Sequence, residues 1–439
     1  MRPAAAALAA GLAVPAVAGS AAPPPRLAAA LEPLAEAAPG LESLYRALHA
    51  APELSMQEVA TAAELAGRLR ALGFEVAEKV GGTGIVGVLR NGDGPVVLLR
   101  TDLDALPVEE RTGLPYASRA TGKDDEGRPI PAMHACGHDL HMTAWAGAAT
   151  LLARAKARWR GTLVMAGQPA EEKGAGADRM IKDGLFERFP RPAFAVALHV
   201  TPELPAGSVG VTPGPAFASV DSVDLTIHGR GGHGAMPHRT VDPILIAART
   251  VVALQALVSR EKDPFEPAVV SVGSFQAGAK HNVIPPEARL KITVRAYSEE
   301  VRQRLLAGIQ RVAAGESIAG GAPAAPDFSI VESTPGVVND VALTGRLRGA
   351  FAAALGSGNV REFPPASVSE DFSYFGRSGV AASMFWLGVA DPPALEKAKA
   401  EGRALPPLHS AEFAPSYEPA IRTGVTALVS AALELLSAR

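Results

Sequence analysis

Apolar and polar positions follow two rhythms along this chain. From Leu27 to about Val211, short unbroken apolar runs alternate with stretches of helical spacing. Residues 84–89, 95–100, 161–167 and 193–198 are apolar runs of the length and continuity of strands buried on both faces. Residues 60–72 and 140–155 carry apolar positions at helical spacing, and the first stretch stops before Gly73. This alternation predicts an α/β layered fold around a mostly parallel sheet.

The rhythm changes between Thr212-Pro-Gly-Pro215 and Ser333-Thr-Pro-Gly336. Val223, Leu225 and Ile227 alternate with polar residues, as in a strand with one wet face. Asp242-Pro243 is an N-cap and first-turn pair opening a helix to about Ser259. Residues 269–276 and 290–297 read as strands, separated by a loop holding His281-Asn-Val-Ile-Pro285. A helix from Glu299 to about Ala314 and a strand near 328–332 complete the order β-α-β-β-α-β, the ferredoxin-like pattern. The expected organisation is therefore one large domain in two parts, 27–214 and 334–439, with a small α+β domain, 215–333, inserted between them. A chain of 439 residues is too long for one typical core, which agrees with two domains.

The N-terminus departs from both rhythms. Arg2, an Ala-rich apolar run from Ala4 to Val14, then Pro15 and Ala16-Val-Ala18 form a basic start, a short apolar core and a small-residue cleavage site. Residues 1–18 are expected to be a secretory signal peptide, with the mature chain starting near Gly19 in the periplasm or outside the cell. No later segment has the roughly 20 uninterrupted apolar residues of a membrane span. A net charge of −3, with 20% charged residues, gives no reason to expect nucleic acid or an anionic membrane as partner.

Chemistry enters through Cys136, the one cysteine, which cannot form an intramolecular disulfide. It lies in His134-Ala-Cys-Gly-His-Asp-Leu-His141, where Cys136 and His138 form a thiolate–imidazole pair suited to zinc or a similar transition metal. Three expected strands run into further polar segments: residues 95–100 into Asp102-Leu-Asp104, residues 161–167 into Gln168-Pro-Ala-Glu-Glu172, and residues 193–198 into His199. Open α/β sheets bind ligands beyond the carboxyl ends of their strands, so these side chains share one edge. Adjacent glutamates are ordinarily a solvated loop, but Glu171-Glu172 follows a buried strand. Beside an ion, one carboxylate can ligate while its neighbour takes a proton from metal-bound water. The residues alone leave open which glutamate does which.

With these segments quoted, the chain resembles the M20 metallopeptidase family, in the amidohydrolase branch of hippurate hydrolases, N-acyl-amino-acid amidohydrolases and auxin-conjugate hydrolases. The matching motifs are Thr101-Asp-Leu-Asp-Ala-Leu-Pro107, His134-Ala-Cys-Gly-His-Asp139, Gln168-Pro-Ala-Glu-Glu172 and His199. Gly231-Gly-His-Gly-Ala-Met-Pro-His238, Asn282-Val-Ile-Pro285, Ser369-Glu-Asp-Phe372 and Leu408-His409 complete the set. The resemblance implies metal ligands at Cys136, His138, Glu172, His199 and His409, holding two divalent ions (Zn, Mn, Co or Ni). It implies Glu171 as general base and Asp104 as the residue orienting a ligand. Asp102 stands where other branches have a ligating histidine. His233 would stabilise the oxyanion, and Asn282 would contact substrate.

Arg295, on a strand of the inserted domain, could pair bidentately with a substrate carboxylate. His134, His141, His228, His238 and His281 are expected to be structural or to support the ligands without binding metal themselves. The inserted domain would act as a lid and as a homodimer contact, with His233 in its own or its partner's site. The implied reaction is hydrolysis of an N-acyl amino acid. A dipeptidase or carboxypeptidase with the same machinery, and a non-catalytic metal-binding relative, are the competing expectations. The proline-rich approach from Asp391 to Pro407 is longer than the family pattern and bears on the substrate entrance.

Overall fold

A computed structural model describes residues 23–438, so the expected signal peptide lies outside the described residues. Among the described residues the expected strands gather into one nine-stranded sheet and a separate four-stranded sheet. At the centre of the large sheet, Val96–Asp102 pairs in parallel with Trp159–Gln168 on one side and Phe194–Pro205 on the other. Ala381–Ala390, from the returning part of the chain, pairs in parallel with Phe194–Pro205.

The flanks differ from the expectation of a mostly parallel sheet. Glu75–Val80 and Gly84–Asn91 form an antiparallel hairpin, and Gly84–Asn91 also runs antiparallel to Trp159–Gln168. The reason is local. Gly81 and Gly82 both have positive φ and turn the chain in a few residues, and a tight turn can only deliver an antiparallel neighbour. The large sheet is therefore mixed, parallel where the polar segments leave it.

The helices His138–Arg154 and Tyr417–Leu435 pack on this sheet with Leu34–Ala50. Their buried faces supply Trp145, Leu151, Val425 and Leu428 to a core that also holds Leu99, Leu163 and Leu198. This burial fixes the strand ends relative to the first turn of His138–Arg154.

The segment from Ser219 to Thr334 builds the second sheet. Its strands are Ser219–His228, Ala268–Gln276, Glu287–Ala296 and Asp327–Thr334, all antiparallel. In spatial order the second strand of the unit lies next to the third, then the first, then the fourth, a ferredoxin-like arrangement. Helices Pro243–Arg260 and Glu299–Ala319 cover one face, capped by Asp242 and Ser298 side chains that accept from Ile244 N and Val301 N. Val223, Leu225, Ile227 and Leu290 meet Leu254, Leu257, Leu305 and Ile309 between the layers. Residues of opposite parity, including Val220 and Arg295, which pair in register, occupy the other face. Pro243–Arg260 is apolar enough over 18 residues to meet a membrane-span criterion, yet it packs Ile246, Leu254 and Leu257 inward.

Candidate metal centre

Each polar segment reaches the site for a local reason. Trp159–Gln168 ends at Pro169 and Ala170, and Ala170 takes a left-handed conformation (φ 49°) that starts the short turn Glu171–Lys173. His138 is the first residue of its helix, preceded by Gly137 at φ 78°. A Cβ on Gly137 would lie 2.6 Å from Val200 Cγ2, so the turn that presents Cys136 and His138 requires glycine. His199 lies inside Phe194–Pro205 rather than at its end, because the strand runs seven residues further than the apolar pattern indicates. His409 arrives on a loop after helix Pro392–Ala400, in a left-handed conformation (φ 65°) held by its N–H donating to Ala135 O. A non-glycine residue in that region is strained, and such strain collects at functional sites.

These side chains converge. Cys136 Sγ lies 3.3 Å from His409 Nε2 and 3.5 Å from His199 Nε2. Glu172 Oε2 is 3.6 Å from His409 Nε2, and Glu172 Oε1 is 3.8 Å from His138 Nε2. Glu171 Oε2 is 3.9 Å from His138 Nε2. The second shell fixes the ring tautomers. His138 Nδ1 donates to Asp104 O at 2.8 Å and His199 Nδ1 to Val200 O at 2.9 Å, leaving both Nε2 lone pairs aimed at the cluster. His141 accepts from Val200 N and donates from Nδ1 to Asp102 Oδ1 at 2.7 Å.

Asp104 anchors the glutamate turn. Its carboxylate accepts from Glu171 N, Glu172 N and the Ser55 hydroxyl, while its carbonyl orients His138. Asp102 Oδ2 lies 3.9 Å from His138 Nε2, and its carboxylate is held by Arg100 and His141. Arg100 is 2% exposed and also reaches Gln168, Glu370 and Asp371. Sequence reasoning missed Arg100 and gave Glu370 and Asp371 no role. The signal was available in part: an arginine inside an otherwise apolar buried strand needs a charged partner.

The electrostatics define what the cluster requires. Burial, then Glu370 and Glu172, push Glu171 well above the usual carboxylate range. Burial raises Glu172 to about 7 against the pull of His138. Burial and the two glutamates push the Cys136 thiol up. Burial opposes the charge on His138, but Asp102, Asp104 and Glu172 outweigh it and raise the ring to about 10. His199 goes well below its ordinary value through burial and the neighbouring His141 and His138. These shifts show that the cluster holds its protons when no ion is bound, whereas thiolate, carboxylate and neutral imidazole, the forms that ligate, need a positive charge among them. Among the described residues His138 Nε2 and Glu172 Oε1 are buried with no hydrogen-bond partner, and an unpaired buried polar atom costs about 1–3 kcal/mol. A divalent ion ligated by both removes that cost, so the donor set fits the metal.

The cluster opens into a cavity of about 490 Å³ bounded by Phe217, Trp386, Val368 and Leu408, and by Arg295 from the inserted unit. Arg295 is half-buried and has no ion-pair partner among the described residues. His233 and Asn282 are elsewhere. They lie together on the pair Gly232–His233 and Val283–Ile284 and its adjoining loop, where Gly234 N donates to Asn282 O, and both are exposed. Neither lines this cavity.

Soft and hard metal donors beside a glutamate, at the carboxyl edge of an α/β sheet with a ferredoxin-like unit above it, define a metal-dependent amide hydrolase. The chain belongs to the peptidase family M20/M25/M40, whose family model matches residues 98–405. It is similar to the N-acetyl-L-cysteine deacetylase of Bacillus subtilis, 37% identical over 340 residues, spanning 76% of this chain and 77% of that one. It is also similar to thermostable carboxypeptidase 1 of Saccharolobus solfataricus, 34% identical over 351 residues, spanning 79% and 85%. Among solved structures, the Bacillus subtilis YXEP protein, a dinuclear metal-binding peptidase, superposes with a TM-score of 0.73 at 30% identity. That match covers 92% of this chain and 100% of the other.

Proposed function

We propose that the protein hydrolyses the amide bond of N-acyl amino acids. The observation that carries this reading is a shared cavity: Glu171 stands beside the ligand cluster, and unpaired Arg295 faces it from the inserted unit. Cys136, His138, Glu172, His199 and His409 would hold two divalent ions (Zn, Mn, Co or Ni), which would supply Lewis acidity and lower the pKa of a nearby water. Glu171 takes the proton from that water and returns it to the leaving amine, work for which a raised pKa suits it. Asp104 holds the backbone of Glu171 and Glu172 in place for both tasks. Arg295 pairs with the free carboxylate of the amino acid, and Phe217, Trp386 and Leu408 offer the acyl group an apolar wall.

Two features support a homodimer in which the inserted unit of each subunit serves the other. Helix Pro243–Arg260 carries Leu245 (60% exposed) and Val252 (74% exposed) on its outer face, beside the edge strand Ala268–Gln276. Exposed apolar rows and open strand edges are surfaces that association covers. His233 and Asn282, remote from their own cavity, are then free to enter the partner's site, where the imidazole N–H can donate to the oxyanion. The proposal also has the enzyme acting outside the cytoplasm after loss of residues 1–18.

Glu171→Ala tests the centre of this reading. It should keep its metal and lose roughly 10²–10⁴ in kcat, the range for a positioned general base. Near-wild-type turnover in that variant would remove Glu171 from the role. The similarity to a carboxypeptidase favours a second reading, in which the bond cut is a peptide bond. Assaying N-acetyl and N-benzoyl amino acids beside dipeptides with a free amino group separates the two. A strong preference for the dipeptides would overturn the first.

A further inference from the structure

The turn that presents Glu171 and Glu172 ends at Gly174, and Gly174 is pressed against the inserted unit. Thr334 is the last residue of strand Asp327–Thr334, where the chain crosses back to the large sheet. The two crossings run side by side: Ala216 N and Phe217 N both donate to Val337 O. A Cβ placed on Gly174 would lie 2.3 Å from Thr334 Oγ1, 3.6 Å from its Cβ and 3.9 Å from its Cγ2. Ordinary contact begins near 3.4 Å, so any side chain at 174 forces the turn and the crossing about 1 Å apart. Thr334 is 3% exposed and its β-branched side chain is restricted at χ1, so its hydroxyl has little room to turn away.

We propose that Gly174 and Thr334 form a positioning contact through which the inserted unit sets the placement of Glu171 and Glu172. The inference rests on the reading of Glu171 as general base. Displacement at Gly174 has a short path to that residue: Gly174 N donates to Glu171 O at 2.7 Å, and Ala175 N and Gly176 N both donate to Ala170 O. Hinged units that close on a substrate must report their position to the reacting groups, and this contact lies where such a report can pass.

A double-mutant cycle on the metal-loaded enzyme tests the coupling. Gly174→Ala should lower kcat about 10²-fold, as a displacement near 1 Å at reacting groups can, with metal content unchanged. In a Thr334→Ala background the same change should cost only a few-fold, because the left-handed strain at 174 remains but the collision is gone. Hydrogen exchange at the amides of Gly174, Ala175 and Gly176 gives a second readout, faster in Gly174→Ala and restored in the double variant. Equal losses, or equally fast exchange, in both backgrounds would overturn the proposal. If Gly174→Ala folds only alongside Thr334→Ala, the contact stands; if it folds in neither background, the proposal fails. A wild-type enzyme inactive on every N-acyl amino acid would refute the functional reading, and the exchange comparison would still decide the contact.

Discussion

Replacing Arg100 by methionine isolates the charge balance beneath the metal cluster. The guanidinium makes bonds of 2.8 Å to Gln168, Asp102 and Glu370 and of 3.1 Å to Asp371. All three carboxylates are no more than 1% exposed. Burial, opposed by Arg100 and reinforced by Glu370, lifts Asp371 to about 8. Asp102 is different: burial opposes its charge, yet His138, His141 and Arg100 hold it well below the ordinary value.

Methionine fills similar volume but leaves Asp102 and Glu370 buried without this cation. Breaking a buried pair in this way costs about 3–5 kcal/mol, which lowers the melting temperature of a chain this long by roughly 3–8 °C. The sign of the pH dependence follows from linkage. A depressed carboxylate stabilises the fold above its unfolded pKa and loses that contribution as pH falls through its folded value. Without Arg100 the carboxylates keep their protons to higher pH, so the gap between wild type and variant should widen as pH rises and close only as pH falls below the ordinary carboxylate value of 3.8, where Asp102 of the wild type is protonated too. Metal affinity should fall about 10–100-fold, because Asp102 and His141, which Arg100 holds in place, pack against the proposed ligands His138 and His199. Thermal unfolding across pH, paired with metal titration, measures both effects. A variant melting within about 2 °C of wild type at neutral pH, or a gap that ignores pH, would refute the argument.

His49 is held by Asp139 and Glu110 at 2.6 and 3.1 Å, and these bonds outweigh burial to raise it from 6.5 to about 10. Its stabilisation is full below its unfolded value and disappears as pH rises through the folded one. The melting-temperature gap between wild type and His49→Gln should therefore be largest near pH 6 and close by about pH 11, and a constant gap would contradict the assignment. If the proposed dimer places His233 in the partner's site, mixing inactive Glu171→Ala with inactive His233→Ala subunits should restore part of the activity, since a mixed dimer would hold one site with both residues intact. No recovery, once subunit exchange is demonstrated, would return His233 to its own subunit or remove it from catalysis.

What the chain encodes locally was legible from its sequence. Apolar runs and helical spacing are set by near neighbours, so the strands around 84–91, 96–102 and 159–168 and the ferredoxin-like order of 219–334 follow from periodicity. Strand ends also told where Asp102, Asp104, Glu171 and Glu172 emerge, because parallel strands deliver their carboxyl ends to one edge. Resemblance in the quoted motifs supplied the ligand set, including His409, which no local pattern singles out.

Tertiary structure decided the rest. Arg100 meets Glu370 and Asp371 across about 270 residues of chain, a pairing that no window of sequence contains. His199 turned out to lie within its strand, because pairing with Ala381–Ala390 carries the ladder beyond the apolar run. His233 and Asn282 came together, but away from their own cavity, through the short pairing of Gly232–His233 with Val283–Ile284. Gly174 looked like loop punctuation until Thr334 was found against it. In each case the deciding contact joins segments distant in sequence, and the energy of such a contact depends on geometry that only the packed chain supplies.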